Sequence, residues 1–210
     1  EIYHVFNRSS ANEEIFLDKR ELSRALDLLD YYRFPQEVKY SKFKILSDQA
    51  REKYFSQIKK SGALVEIFAY ALMPNHHHLL LKQLKNGGIR NFISNFQNSF
   101  AKYFNTKNER HGSLFQNPFK AKRIERDEIF THVSRYIHLN PVTSFLIKPE
   151  ELVTSSLTSY PYYLGIKSKG FVSTQFLLKM LGSEGKYAKF VMDQVDYQRK
   201  LLLIKSLTFE

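Results

Sequence analysis

Three consecutive histidines, His76, His77 and His78, open a run that continues as Leu79-Leu80-Leu81. Pro74-Asn75 ahead of them reads as a tight turn, and the run itself as a β-strand. Side chains alternate faces along a strand, so His76 and His78 point one way and His77 the other. Two imidazoles on one face, roughly 6–7 Å apart at Cα, can share one metal ion. Two ligands make only a partial site. For a metal that handles phosphate, an oxygen donor suits Mg²⁺ or Mn²⁺ better than a third imidazole.

The segment Ser134 to Pro141 supplies that donor in principle. Tyr136 and Asn140 are four apart, which puts them on one helical face. If that face packs over the histidine strand, Asn140 can offer its amide oxygen to the ion, with Tyr136 beside the metal-bound group. The competing role for Asn140, which precedes a proline, is to cap its own helix end. A tyrosine next to a divalent ion and a phosphodiester is a candidate nucleophile. Its phenol ionises near pH 10, and a nearby cation lowers that cost while polarising the phosphate. Attack by tyrosine keeps the phosphodiester energy in a covalent link, where attack by water would dissipate it. His138, two residues on, faces elsewhere and is expected to pack in the core, and His132 is expected at a boundary.

These residues need elements to hold them. Ile2 to Arg8 is β-branched and aromatic and reads as a first strand. Leu17 to Tyr32 has Leu22, Leu26 and Leu29 at helical spacing, and Pro35 closes it. In the segment 36–62, Ser47 is an N-cap candidate for a polar helix from Ala50 to Lys60 that stops at Gly62. Ala63 to Leu72 reads as a buried strand, paired as a hairpin with His76 to Gln83. Gly87-Gly88 opens a helix whose Ile89, Phe92, Ile93, Phe96, Phe100 and Tyr103 form a core-facing stripe, with Phe92, Phe96 and Phe100 expected in the core rather than as a base-stacking platform. Asn105 to Gly112 reads as a loop. Phe119 to Arg126 is a basic strand, and Asp127 caps a helix that Pro141 ends. Strand, helix, strand, strand, helix, strand, helix is the split βαβ order of an α+β, ferredoxin-like antiparallel sheet with helices on one face. The other face is then free to bind, as in RNA-recognition modules. Ser173 to Leu181 and Lys186 to Leu207 read as two further helices, so the division expected is a catalytic domain over 1–165 and a helical extension over 166–210.

Composition narrows the class. The chain has 210 residues, 43% hydrophobic, with 18 Phe and 13 Tyr, so a sizeable core is available. With no cysteine there are no disulfides and no thiolate metal sites. No apolar run approaches the roughly 20 residues that cross a bilayer, and no export leader is visible, so a cytoplasmic location and no membrane partner are expected. Lys and Arg number 32 against 21 Asp and Glu, a charge of +11 that fits a polyanionic partner such as nucleic acid.

Four blocks in this order, YHVFNRS, YALMPNHHHLLLKQ, GSLFQNPFKAKRIE and RYIHLNPV, resemble the single-tyrosine HUH transposases, and within them the REP-associated, IS200-like branch. The resemblance covers about residues 2–160. It implies His76 and His78 as the two histidines of the metal motif, Tyr136 as the nucleophile forming a 5′-phosphotyrosine link, and Asn140 completing the site. It also implies Mg²⁺ or Mn²⁺ as cofactor and single-stranded or hairpin DNA as substrate. Lys120, Lys122, Arg123 and Arg126 would form a phosphate track, with Lys82 and Gln83 as further DNA contacts. Binding would then fall steeply with salt. Such enzymes act as monomers or homodimers. Two departures stand out. His77 occupies a position that is usually bulky and apolar, and the segment 36–62 looks like an insertion. Two rival readings use the same residues: a domesticated, non-catalytic single-strand-binding protein of the same fold, and a metal-dependent hydrolase using all three histidines. Strand alternation opposes the second, because His77 should point away.

Overall fold

The β-branched run at the start forms strand β1 (Ile2–Arg8) in the computed structural model, which describes residues 1–167 and 170–200. Helix α1 (Lys19–Tyr32) follows, its first turn capped by the Asp18 carboxylate, which accepts from the amides of Arg20 and Glu21. Two short helices, α2 (Tyr40–Lys44) and α3 (Asp48–Lys60), fill the segment before β2 (Val65–Met73). Ser47 caps α3 through its hydroxyl, and Gly62 leaves it with a positive φ of 73°. Pro74-Asn75 turns the chain into β3 (His76–Gln83), and α4 (Gly88–Lys107) begins where a Cβ on Gly88 would collide with the Leu64 carbonyl. Strand β4 (Lys120–Ile124) and helix α5 (Asp127–Thr143) come next, then α6 (Tyr160–Tyr163), α7 (Gln175–Leu181) and α8 (Glu184–Met192). The part of the expected last helix beyond residue 200 lies outside the described residues.

The four strands lie in the order β2-β3-β1-β4, every pair antiparallel. This is the α+β, ferredoxin-like arrangement that the split βαβ order predicts. One edge, β2, is covered: the Leu72 amide donates to the Leu157 carbonyl, and Val172 bridges to Ile67. The other edge, β4, bears Lys120, Lys122 and Arg123, all exposed.

The sheet carries two separate cores. On one face Val5, Leu79 and Leu81 pack against α1 and the Phe92, Phe96 and Phe100 stripe of α4. On the other, Leu80, Ala71 and Ile124 pack against Ile137 and Leu139 of α5, joined by Leu177, Tyr187 and Val191 of the last two helices. Strand β2 serves both faces by alternation, and the register shift between Ile67 and Ala69 exchanges the parity, so that Val65 and Ile67 but then Tyr70 and Leu72 face the first core.

The expectation that helices occupy one face only is therefore corrected. The crossover helices α1 and α4 share a face, but α5 lies on the opposite one. Its apolar residues Phe130, Ile137, Leu139 and Val142 need a surface, and the only apolar strand residues left are those on the second face. That face is half covered, over β2 and β3, and open toward β1 and β4. Several helix ends also differ, among them that of α8, which stops at Met192. Helix α4 runs on to Lys107, into the stretch expected to be loop. Pro141 sits inside α5, which ends at Thr143. Proline lacks an N–H and so breaks one helical bond, but the carbonyls of Asn140 and Pro141 still accept from the amides of Ser144 and Leu146, and the last turn closes. Asp127 is the first helical residue rather than the cap, and its charge still favours the helix N-terminus.

His77 is fully buried at 0% exposure, with the rings of Phe16, Phe96 and Phe115 around it. Neither of its ring nitrogens has a hydrogen-bond partner. Burial, and then the neighbouring His76, lowers its pKa to about 3. The unfolded chain takes up a proton here below about pH 6.5 that the folded chain refuses until about pH 3, so stability falls as pH drops through that window. His77→Leu should thus raise the melting temperature at pH 7.5 by several degrees, since an unpaired buried polar group costs about 1–3 kcal/mol. At pH 5.5 its advantage should grow by about a further 1.4 kcal/mol. Thermal melts of both proteins at the two pH values measure this, and a lower melting temperature for the variant would count against the unpaired state.

Candidate active site

Strand register decides what faces α5. Residues Ile2, His4, Phe6 and Arg8 of β1 stand opposite Lys82, Leu80, His78 and His76 of β3. On the other side of β1, His4 pairs with Lys122 and Phe6 with Lys120. All of these share the face on which α5 lies. His76 and His78 come together, ring centroids 5.1 Å apart. Tyr136 projects from α5 to within 5.5 Å of His78, ring to ring, and stays 42% exposed. The pairing that spacing alone left conditional, a tyrosine over the histidine strand, is realised.

A third histidine joins them that the sequence reading had not singled out. His4 Nε2 lies 3.0 Å from His78 Nδ1, its ring stacks on His78 at 5.1 Å, and it stands 6.0 Å edge-on to Tyr136. The available signal was the period-two alternation of β1, but nothing in the sequence says which strand lies beside which.

The imidazoles are neutral. Burial, and then Lys122, brings His4 down to about 4. Burial, and then Arg8, does the same for His76. His78 falls to about 2, from burial first and then from the crowding of His4, His76 and His77 and the charge of Arg8. Neutral rings with no carboxylate partner present lone pairs, and the cations around them favour an anionic ligand. His76 Nδ1 donates to the Asn75 side-chain oxygen at 2.6 Å, which leaves Nε2 free to act as a donor atom. His78 Nε2 is free in the same way when Nδ1 donates to His4.

Asn140 lies one turn beyond Tyr136, 9% exposed. Its carbonyl closes the helix end, accepting from Ser144 Oγ at 2.8 Å as well as from the Ser144 amide. Its side-chain amide nitrogen is buried without an acceptor. Turning the amide over puts Oδ1 there instead, an oxygen able to take a cation. Among the described residues no group of three or more His, Cys, Asp or Glu side chains is disposed to hold a metal ion. By donor type, two imidazoles and one carboxamide suit a divalent ion that leaves several positions to water or phosphate oxygens, and Asn140 lies one helical turn from the Tyr136 that meets His78.

The expected basic residues divide. Lys120 and Lys122 flank the site on its own face. Arg123 points to the opposite face and pairs with Glu1 at 3.2 Å. Arg126 is exposed at the start of α5. Lys82 shares the histidine face but lies at its far end, 4.0 Å from Glu66. Gln83 is on the other face and accepts from the Ile89 amide at the start of α4. His132 bonds to Arg135 at 2.6 Å.

Tyr136 is held in place by what lies behind it. His138, fully buried, receives the Ser159 hydroxyl at Nε2 (2.7 Å) and meets Tyr187 at Nδ1 (2.6 Å). Ser159 Oγ in turn accepts from the Tyr70 amide at 2.9 Å. One consistent proton order satisfies the whole chain: Ser159 to His138, His138 to Tyr187, Tyr187 to Ser134 and Ser134 to the Thr131 carbonyl. The helix is thereby keyed to β2 and to α8 at the residue two places from the phenol. Ser159→Ala leaves both the Nε2 of His138 and the Tyr70 amide unpaired, and should lower stability by about 2–4 kcal/mol in a denaturant titration. An unchanged midpoint would show that the network carries no stability.

A family model described as Transposase IS200 like matches residues 31–140, more than half of the chain. No curated protein matches. Among solved structures, the chain is similar to a REP-associated tyrosine transposase bound to a REP hairpin, with 11% identity and a TM-score of 0.50 over 78% of this chain and 79% of that one. It is also similar to a putative transposase from Deinococcus radiodurans, with 14% identity and a TM-score of 0.38 over 65% of this chain and 88% of that one. At such identities the likeness is one of fold. Among the described residues no helix is long and apolar enough to cross a membrane.

Proposed function

Since the chain belongs to the IS200-like transposase family, we propose that it cuts and rejoins single-stranded or hairpin DNA with Tyr136 as nucleophile. The observation that carries this reading is the approach of an exposed phenol on α5 to the neutral His78 of β3, on a face flanked by Lys120 and Lys122. Residues 58 positions apart in sequence meet there, and the phenol reaches solvent at 42% exposure.

In this reading Lys120 and Lys122 hold backbone phosphates at the open edge of the sheet. Tyr136 Oη attacks the scissile phosphorus, its proton leaving to the solvent that already reaches it. The bond to the 3′-oxygen breaks, that oxygen departs as a 3′-hydroxyl, and the 5′-phosphate stays on the tyrosine. Reversal with a different 3′-hydroxyl rejoins the strand. His76, His78 and Asn140 would hold a divalent ion, Mg²⁺ or Mn²⁺, which when bound neutralises and polarises the scissile phosphate. His4 would orient His78 from behind, and the His138–Ser159 link would keep the phenol at its working distance. The similar solved structure that holds a REP hairpin favours a DNA hairpin as the substrate.

Incubating the protein with such a hairpin and Mn²⁺, then running a denaturing gel, should reveal a covalent protein–DNA adduct. Tyr136→Phe should abolish it while leaving hairpin affinity within about twofold. An adduct formed by the Phe variant would remove the nucleophile assignment. Tight binding with no adduct from the unaltered chain would establish the domesticated binding protein instead, and a free 5′-phosphate product without protein linkage would point to a hydrolase.

A further inference from the structure

The segment 36–62 plays no part in the chemistry above, yet it completes a cavity on the opposite side of the sheet. Helices α1 and α4 and the start of α2 enclose about 690 Å³ there. Arg24 from α1, Lys39 from the approach to α2 and Lys102 from α4 converge on it. Asn98, Ser99 and Ser41 add neutral donors to the same walls.

Arg24 is the informative residue. Its guanidinium is clamped between two tyrosine rings, 4.6 Å from the centre of Tyr40 and 4.9 Å from that of Tyr103. The clamp is itself braced, because the Tyr40 hydroxyl donates to Asp27 at 2.7 Å. Stacking fixes the plane of the guanidinium but satisfies none of its five donors. Its Nε is buried with no hydrogen-bond partner. The neighbouring Lys107 has two carboxylates, Asp18 at 3.2 Å and Glu21. Among the described residues Arg24, Lys39 and Lys102 form no such ion pair. The nearby carboxylates are already engaged, Asp27 by the Tyr40 hydroxyl and Asp18 and Glu21 by Lys107, so three cations drawn from three elements share one concavity with no carboxylate ion-paired to them, which favours the entry of an anion.

We propose that this cavity is a second phosphate-binding site, built by the inserted segment, that holds the DNA backbone at a place remote from the strand being cut. A rigid planar guanidinium with two flexible lysines and several hydroxyl and amide donors matches a phosphodiester better than a carboxylate. The choice of DNA as bearer of the phosphate rests on the proposed function. The cavity and its unpaired cations do not.

Fluorescence anisotropy of a labelled hairpin, titrated at several salt concentrations on the Tyr136→Phe background, tests this without requiring cleavage. Lys39→Gln with Lys102→Gln removes two exposed charges and leaves the tyrosine clamp intact. The slope of log affinity against log salt should become shallower by about 2, with weaker binding at low salt. Arg24→Lys, which cannot stack or bond as a plane, should weaken binding further while melting normally. An unchanged slope and affinity in the Lys39/Lys102 variant, alongside a loss on replacing Lys120 and Lys122 by Gln, would overturn this site alone. No binding of the hairpin by the parent protein would overturn both this site and the proposed function. If a 5′-mononucleotide raises the melting temperature of the parent but not of the Lys39/Lys102 variant, while the hairpin slope stays fixed, the site serves a free nucleotide and the DNA assignment fails.

Discussion

The alternation of β3 is the constraint on which the rest of the molecule depends. Its odd residues, His77, Leu79 and Leu81, enter the core built with α1 and α4, and its even residues, His78 and Leu80, enter the one built with α5. A strand buried on both faces cannot slip by one residue without carrying His78 into the aromatic cage and His77 out of it. The two helix layers thus pin the register that presents His76 and His78 together. The cost is visible at His77, where a polar ring sits in a cage of phenylalanines with no partner.

From that register the site assembles in layers. β1 lies beside β3 and delivers His4 and the Lys122 contact. β4 lies beside β1 and delivers the open basic edge. Helix α5 closes over the β2 side only, because the apolar strand residues of that face lie there, so Tyr136 meets the histidines at the margin between covered and open sheet. Its partial exposure follows from this position. Behind it, the proton chain through Ser159, His138 and Tyr187 ties the helix to elements far along the chain, which makes the last helices part of the support for the phenol.

Two basic surfaces result, and they differ in kind. The lysines of β4 extend into solvent from a sheet edge, where they attract any polyanion. The cluster around Arg24 is concave and pre-oriented by two tyrosines, one of them, Tyr40, from the segment 36–62. A phosphate held there would be separated from Tyr136 by the thickness of the sheet and a helix, so the two surfaces would grip different stretches of one nucleic acid.

Much of this was legible beforehand. Residue periodicity sufficed for the strands, for the core stripe of α4 and for the opposed directions of His76/His78 and His77, because alternation is a local property of the backbone. The spacing of Tyr136 and Asn140 sufficed for a shared helical face. What periodicity cannot carry is which faces meet. The placement of α5 opposite α1 and α4, the entry of His4, the diversion of Arg123 to the other face and the clamp on Arg24 all depend on strand order and helix docking. Those are set by apolar surfaces distant in sequence finding one another. Local residue order suffices for the elements and for the residue types each one presents. Their neighbours emerge on folding, because contact between two faces is a property of the pair and is written in neither one alone.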